Sequence, residues 1–414
     1  MARWRPRFAT PLLTLHPMSY LFLVCAVLLV LLARSAVRGP RRHPPLWVTA
    51  MVGSEMAGVF LTIAVCLFVG FRTAGWAGGN AGVTGQVLLG LSAAGFALAL
   101  ARGFVASRAV AGAVGGFTGT KPDLSWSRLG AVVAPVSRPP GSVTVAPALA
   151  YGPHQRHLVD RIGPDPASGP RPALVYVHGG GWWRGRRQTQ ARPLVHRLAR
   201  SGWQVFTPSH RLSPEATFPD HLVDIKRVVA WVRANAAELG VDPGFIGVAG
   251  GSAGGNLAAL AALTADDPEL QPGFEDADVS VQACVPFYGV HDMLDDAGHP
   301  LWPYLETVVM KVSVADDPEL WRRASPVRCA SARRPPFFVV HGAADTVARP
   351  ELSRRLVAAL REAGGPAVGH LEIPWGNHGF DFFAGPRGRA TAAGVAAVLD
   401  HAHAGYRARA SEAT

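Results

Sequence analysis

The sequence predicts an α/β fold, in which a mostly parallel sheet carries helices on both sides, preceded by about three transmembrane helices. Three observations predict this arrangement. Long apolar stretches fill the first hundred residues, short strand-like runs alternate with helical patterns after residue 140, and glycine-rich turns follow two of the runs. Alternating strands and helices are typical of a parallel sheet that is covered on both faces.

The 414 residues divide into four regions by composition. We predict a membrane region over 1–105, a linker over 106–140, an α/β domain over 141–405 and a short tail over 406–414. The linker mixes glycine, serine and proline, and its end reads SRPPGS.

The membrane region contains three apolar stretches, near residues 12–33, 46–71 and 83–102. About 20 mostly apolar residues cross the hydrocarbon core of a bilayer. Buried helices of a soluble protein are the alternative for the second and third stretches. Glu55 lies inside the second stretch, and it is expected to face another helix because a carboxylate is costly in lipid.

A secretory signal is the alternative for the first stretch, because three arginines precede it. The segment after the stretch is rich in arginine, including Arg34 and Arg38, and offers no small-residue cleavage site. We therefore predict a retained span and a multi-pass membrane protein. The arginine distribution slightly favours a cytosolic α/β domain, although large domains cross membranes regardless of such counts.

The net charge of +11 does not indicate nucleic-acid binding, because the basic residues are scattered and no recognisable binding motif accompanies them. The four cysteines form no CxxC pair and no zinc-ligand spacing, so we expect neither a disulfide framework nor a metal site.

Ser252 stands in the stretch FIGVAGGSAGGN, where an apolar strand-like run meets an alanine-rich helical run. The frame Gly250-Gly251-Ser252-Ala253-Gly254 matches G-x-S-x-G, a sharp strand-to-helix turn that exposes a nucleophilic serine. A phosphate-binding loop is the alternative, but it requires a lysine that is not present nearby. The motif is short enough to occur by chance, so its context must carry the prediction.

The segment HGGGWW begins at His178, directly after the strand-like run ALVYVH. Backbone N–H groups of such a loop point at the oxygen that becomes negative in acyl transfer. We predict that Gly180, Gly181 and Ala253 donate these N–H groups. A glycine-rich turn without chemistry is the alternative.

A serine nucleophile needs a base, and the base needs a group that orients it. Asp345 follows the strand-like run FFVVHG, and His378 follows HLEIPW. The chain order serine, acid, histidine is the order of nucleophile-elbow enzymes. Asp292, which also follows a strand-like run, is the second candidate for the acid, and an ordinary loop aspartate is the alternative for Asp345.

With these motifs in order, the chain resembles the hormone-sensitive-lipase-like branch of the α/β-hydrolase family. The segments HGGGW, HRLSPEATFP, GGSAGGN, YGVHD, HGAADTV and NHGFD carry the resemblance, which covers roughly residues 140–405. More narrowly, the chain is similar to membrane-associated lipases and esterases of mycobacteria and related actinobacteria. His210 and Ser213 stand where many relatives have tyrosine and alanine, and the usual cap before the HGGG strand is replaced by membrane segments and linker.

The resemblance implies an α/β-hydrolase fold and a membrane-anchored serine carboxylesterase or lipase, placed in the plasma membrane of a bacterium. It implies Ser252, Asp345 and His378 as the catalytic triad, Gly180, Gly181 and Ala253 as the oxyanion hole, and structural roles for Arg211, Glu215 and Asp224. The expected partners are an ester substrate and the bilayer, with no cofactor and no nucleic acid. Activity is expected to fall below about pH 6 to 7, where an ordinary histidine protonates.

Residues 293–324 interrupt the alternation of strands and helices. We predict that Trp302, Tyr304 and Leu305 line an acyl pocket together with Trp182, or form a lid; packing of an inserted helix is the alternative. Acyl transfer or amide hydrolysis through the same residues, and a catalytically silent hydrolase-fold binding protein, are the alternative functions.

Overall fold

The computed structural model describes residues 17–38, 46–125, 128–294 and 302–412. Its first part is helical, and residues 12–16 of the first predicted span lie outside the described residues. The helices are α1 (Pro17–Arg38), α2 (Trp47–Glu55), α3 (Ala57–Thr73), α4 (Gly79–Thr118) and α5 (Arg128–Val133).

The second predicted span, 46–71, consists of two helices. The chain breaks at Met56, and α2 and α3 meet at an angle of 76°. Among the described residues, α1 from Met18 and α4 are long and apolar enough to cross a membrane, and the bent pair raises that number to three if it counts as one span. The predicted apolar helices are therefore present, and two of them, or three with the bent pair, have the length and composition of spans.

The helix α4 is much longer than the predicted span 83–102. It continues through residues assigned to the linker and ends at Gly119, whose φ of 76° stops the helix. Its last turns join the core of the α/β domain through Ala106, Val110 and Val114. The predicted linker therefore begins with a helix that packs on the domain.

The α/β domain is built on one eight-stranded sheet with the order β1-β2-β4-β3-β5-β6-β7-β8. Its strands are β1 (Thr144–Ala150), β2 (Leu158–Gly163), β3 (Arg171–Val177), β4 (Gln204–Pro208), β5 (Val241–Gly251), β6 (Ala283–Phe287), β7 (Phe337–Gly342) and β8 (Val368–Ile373). β1 pairs antiparallel with β2, and β2 pairs antiparallel with β4. The remaining pairs are parallel, which confirms the mostly parallel sheet.

Helices follow the strands and cover both faces of the sheet. They are α6 (Arg192–Arg200), α7 (Asp220–Ala234), α8 (Ala236–Leu239), α9 (Ala253–Leu263), α10 (Trp302–Tyr304, continued by a π-helical turn at Leu305–Met310), α11 (Pro318–Arg323), α12 (Pro350–Glu362) and α13 (Pro386–Glu412). One core contains residues of α7, α9 and α12, and the other contains residues of α6 and α13 together with the end of α4. α13 also runs through most of the predicted tail.

The parallel strands place the candidate catalytic residues at one edge of the sheet. β5, β7 and β8 end just before Ser252, Asp345 and His378, respectively. The carboxyl ends of parallel strands form the edge where α/β sheets bind their ligands. This edge of the sheet also faces the N-terminal helices, since Trp47 of α2 contacts His378.

Candidate active site

Ser252 occupies the sharp turn between β5 and α9. Its φ of 58° and ψ of −122° are strained for a residue with a side chain, and its N–H donates to the carbonyl of Phe287 at 2.9 Å. A Cβ added to Gly250 would lie 2.3 Å from the oxygen of Gly254, and one added to Gly254 would lie 2.2 Å from the oxygen of Val177. The glycines are therefore required because strand and helix approach too closely for side chains.

His378 lies between Ser252 and Asp345. Its Nε2 is 2.9 Å from the Ser252 Oγ, and its Nδ1 is 2.7 Å from the Asp345 Oδ2. The carboxylate only accepts, so Nδ1 carries the hydrogen and Nε2 accepts from the serine hydroxyl. The structure thus brings the three predicted side chains into one hydrogen-bonded chain.

Asp345 is buried and surrounded by donors. Its Oδ1 accepts from the backbone N–H groups of Val347 at 2.8 Å and Ala348 at 3.0 Å, and its Oδ2 lies 3.4 Å from the Nε2 of His341. Burial alone would raise the pKa of Asp345, but the neighbouring His378 and His341 hold that pKa well below its ordinary value. The carboxylate therefore stays ionised and can orient the imidazole of His378.

Asp292, the second candidate for the acid, contacts other residues. Its Oδ1 accepts from the N–H of Leu294 at 3.2 Å, and its Oδ2 lies 3.5 Å from a guanidinium nitrogen of Arg328. The Nδ1 of His378 is taken by Asp345 instead. Geometry therefore favours Asp345 as the partner of the histidine.

The predicted donor loop lies beside the Ser252 turn. A Cβ added to Gly179 would lie 2.9 Å from the Cβ of Ser252, and Gly180 and Gly181 have φ values of 128° and 63°, which favour glycine. Among the described residues, neither Gly180 nor Gly181 donates its N–H to an acceptor. Ala253 is the first residue of α9, so its N–H has no acceptor within the helix.

His178 holds this loop through a hydrogen bond to its backbone. Its Nδ1 is 2.9 Å from the oxygen of Gly179, and its ring stacks on His210 at 4.6 Å. Burial lowers the pKa of His178 to about 3. The imidazole is therefore neutral at physiological pH and can donate one hydrogen to the loop carbonyl.

Only one of the four predicted pocket residues contacts the donor loop by a hydrogen bond. The hydroxyl of Tyr304 donates to the oxygen of Gly181. Trp302 stacks on Trp321 at 4.9 Å, and Leu305 and Trp182 are buried in the core beside α9. Residues 295–301 of the same insertion lie outside the described residues.

Two aromatic rings that the sequence did not single out enclose His378. Tyr288, after β6, lies 4.8 Å from the imidazole between ring centroids, and its hydroxyl donates to Asp381. Burial raises the pKa of Asp381 to about 6. Trp47 of α2 meets the imidazole edge-to-face at 5.3 Å, and no motif in the apolar N-terminal sequence marks that tryptophan.

The α/β domain contacts the N-terminal helices at two further points, one on the loop that carries His378 and one on α13. The guanidinium of Arg102 lies 5.2 Å above the ring of Trp375. Glu55 and Arg387 form an ion pair at 2.9 Å with both side chains buried. Glu55 therefore faces another helix, as expected, but that helix is α13 of the α/β domain.

The segment HRLSPEATFP takes part in a buried hydrogen-bond network through Arg211. Asp224 is fully buried and accepts from the backbone and side chain of Arg211 and from His157. Burial alone would raise the pKa of Asp224, but the hydrogen bonds from His157 and Arg211 lower it to about 2.

Among the described residues, no three His, Cys, Asp or Glu side chains are grouped as metal ligands.

Comparison with known proteins finds similar sequences and a similar fold. The BD-FAE family matches residues 159–360. Esterase LipQ of Mycobacterium tuberculosis is 44% identical over 256 residues, which are 61% of this chain and 61% of that protein. The probable carboxylic ester hydrolase LipM of the same organism is 43% identical over 262 residues, 62% of this chain and 61% of that protein.

A solved structure agrees with these sequence matches. The apo form of Thermogutta terrifontis esterase 2 has a TM-score of 0.51 and 26% identity, and the match covers 63% of this chain and 92% of that one. The chain spans about three fifths of the length of the first curated relatives that it matches.

A nucleophile-elbow turn on a mostly parallel sheet, with an acid and a histidine following in that order, defines the α/β-hydrolase class. The sequence relatives support a resemblance of this chain to the hormone-sensitive-lipase-like esterase branch of the α/β-hydrolase family.

Proposed function

We propose that this protein is a membrane-anchored carboxylic ester hydrolase that works through a Ser252–His378–Asp345 triad. The main support is the hydrogen-bonded arrangement of the three side chains. The Ser252 Oγ lies 2.9 Å from the His378 Nε2, and the His378 Nδ1 lies 2.7 Å from the Asp345 Oδ2. The relatives bear ester-hydrolase names, so the acyltransferase, amidase and silent-protein alternatives are not favoured.

The reaction proceeds through an acyl-enzyme. His378 takes the proton of Ser252, and the Oγ attacks the ester carbonyl. The tetrahedral oxyanion accepts from the N–H groups of Gly180, Gly181 and Ala253. His378 then protonates the leaving alcohol, and in the second half it activates the water that releases the acid. Asp345 fixes the tautomer of His378 and stabilises its charged form.

The donor N–H groups stabilise the transition state because they are already in place. The N–H groups of Gly180 and Gly181 donate to no other acceptor among the described residues. No existing hydrogen bond therefore has to break when negative charge develops on the oxyanion. Each such donor is worth about 3 kcal/mol in the barrier. The free N–H groups of Gly180 and Gly181 therefore support the proposed oxyanion hole.

Anchoring in a bilayer gives the enzyme a high local concentration of lipid-soluble esters. α1 and α4 have the length and composition of spans. The hydroxyl of Tyr304 donates to the oxygen of Gly181, and Trp182 follows Gly181 in the chain, so we expect both side chains to line the acyl pocket. We expect acyl esters of short to medium length to be hydrolysed.

The decisive experiment labels the full chain with a fluorophosphonate probe and compares Ser252→Ala with Ser201→Ala, an exposed serine at the end of α6. The wild type and Ser201→Ala should be labelled, and Ser252→Ala should not. Labelling that survives Ser252→Ala would refute the triad assignment. A graded series of acyl esters then defines the preferred chain length.

Membrane anchoring is tested separately. Membranes from cells that express the full chain should retain the protein after washing with alkaline carbonate and release it in detergent. Release by carbonate alone would refute anchoring without touching the assignment of the triad.

A further inference from the structure

A large groove lies between the N-terminal helices and the loops that carry the acid and the histidine. Its volume is about 1540 Å³. One wall is formed by α1 and the start of α2, and the opposite wall contains Asp345, Trp375 and Asn377. The groove therefore borders Asp345 and the loop that carries His378.

Three arginines line this groove. Arg34 and Arg38 lie one turn apart on the exposed face at the end of α1, and Arg102 reaches over from α4. A guanidinium nitrogen of Arg102 donates to the oxygen of Val37 at 2.8 Å. Within the described ranges, none of the three forms an ion pair with a carboxylate, and the lining carboxylate Asp345 is bonded to His378. The groove thus holds uncompensated positive charge.

The same groove has an apolar wall of leucines. Leu28 and Leu31 of α1 are 62% and 54% exposed, and Leu32 and Leu46 continue the wall. α1 from Met18 is long and apolar enough to cross a membrane. Leu28, Leu31 and Leu32 lie on this helix just before Arg34 and Arg38, so apolar and charged lining residues meet near its end. An occupant must therefore be apolar along the leucines and anionic at the arginines.

We propose that this groove binds one anionic membrane lipid. The lipid phosphate contacts Arg34, Arg38 and Arg102, and an acyl chain lies along Leu28 and Leu31. Basic pockets between membrane helices bind anionic headgroups in this way, and guanidinium groups bind phosphate through paired hydrogen bonds. The proposal rests on the proposed membrane association.

A zwitterionic lipid fits this site less well. Its headgroup would bring a positive choline to a cluster of three unpaired arginines, while an anionic lipid brings only negative charge. The bound lipid would also lie against Trp375 and Asn377, next to the histidine of the triad. The site is therefore placed to hold lipid beside the catalytic loops without occupying the oxyanion hole.

Lipid binding is measured on the Ser252→Ala form of the full chain, so that no ester is consumed. The purified, delipidated protein is titrated in detergent with dioleoylphosphatidylglycerol or with dioleoylphosphatidylcholine, and bound lipid is counted by native mass spectrometry. Arg34→Gln combined with Arg38→Gln removes two of the three charges. Arg72→Gln is the matched control, because Arg72 is exposed at the end of α3 and is not among the residues that line the groove.

We expect one phosphatidylglycerol to be retained about tenfold or more in preference to phosphatidylcholine, and the double variant to lose that preference. Arg72→Gln should keep it. Equal retention of both lipids by the parent protein, or equal losses in the double variant and the control, would overturn the proposal. Displacement of the lipid by an equal concentration of inorganic phosphate would also overturn it. Because binding is read without turnover, failure here is distinct from failure of fluorophosphonate labelling.

Discussion

The indole ring of Trp47 stands edge-to-face on the imidazole of His378, with 5.3 Å between centroids and 86° between the ring planes. Trp47 begins α2, so a residue of the predicted membrane region contacts the predicted catalytic base. T-shaped aromatic pairs are worth about 1 kcal/mol and favour one orientation of both rings. Trp47 therefore restricts the imidazole to the orientation that meets both Ser252 and Asp345.

Replacing Trp47 by alanine should lower kcat for a small soluble ester by about 10- to 100-fold, because small misplacement of a catalytic group has costs of this order. KM should change little, since Trp47 contacts the base and is not among the residues predicted to bind the acyl chain. Trp47→Phe should recover most of the activity. Val48→Ala changes an exposed neighbour on the same helix and is the control. Equal kinetic effects of Trp47→Ala and Val48→Ala would contradict a positioning role.

The choice between two aspartates can be tested directly. Asp345→Asn should lower kcat by about 10⁴-fold, because the amide favours the wrong tautomer of His378. Asp292→Asn should retain most activity, since Asp292 contacts Leu294 and Arg328 instead of the histidine. Steady-state kinetics with one ester measures both variants. A larger loss of kcat in Asp292→Asn than in Asp345→Asn would show that Asp292, and not Asp345, is the acid that orients His378.

The sheet and the hydrogen-bonded trio of Ser252, His378 and Asp345 were predictable, because local sequence patterns determine them. The turn at Ser252 demands glycine wherever strand and helix approach within contact distance, and such glycines are visible in the sequence. Asp345 and His378 follow apolar runs whose ends must meet at one edge of a parallel sheet. These signals need no knowledge of how distant segments pack.

The contacts of the N-terminal helices were not predictable, because they depend on packing between distant parts of the chain. Apolar composition indicated spans, but it carries no signal for the break at Met56 or for the extension of α4 to Thr118. Trp47 reads as an ordinary interfacial tryptophan. Glu55 was recognised as anomalous in an apolar stretch, yet its partner Arg387 lies in the last helix of the chain.

The buried ion pair between Glu55 and Arg387 should join the N-terminal helices to the α/β domain. Removing one partner leaves the other charge buried and unpaired, which typically costs about 3 to 5 kcal/mol. We expect Glu55→Gln and Arg387→Met each to lower the melting temperature of the detergent-solubilised protein. The double variant should lose less than the sum of the two single losses. Additive losses would show that the two side chains are not coupled.

Tyr304 should hold the donor loop in place for the oxyanion. Its hydroxyl donates to the oxygen of Gly181, whose N–H is a predicted donor. Tyr304→Phe removes one hydrogen bond, worth about 1 kcal/mol, so kcat should fall by about 3- to 10-fold with little change in KM. Tyr406→Phe is the control, because Tyr406 of α13 packs on Phe245 of β5, away from the donor loop. An unchanged kcat in Tyr304→Phe would exclude this support.

Asp381 should make the stability of the protein depend on pH. Burial raises its pKa to about 6, from an ordinary value near 3.8, while the hydrogen bond from Tyr288 opposes the rise. A carboxyl whose pKa is raised on folding stabilises the native state in its protonated form. That stability is fully present below about pH 4, the ordinary pKa of an aspartate, and is lost as pH rises to about 6.

Asp381→Asn keeps an oxygen that can accept from Tyr288 and cannot ionise. The wild type should therefore lose about 2 to 3 kcal/mol relative to Asp381→Asn between pH 4 and pH 7, the amount that a shift of about two pKa units represents. Melting temperatures of both proteins at several pH values, in the same detergent, measure this difference. The titration of Asp345 should not contribute to the comparison, because both proteins contain it and its pKa lies well below the ordinary value. A difference between the two proteins that stays constant from pH 4 to pH 7 would contradict an ionising, buried Asp381.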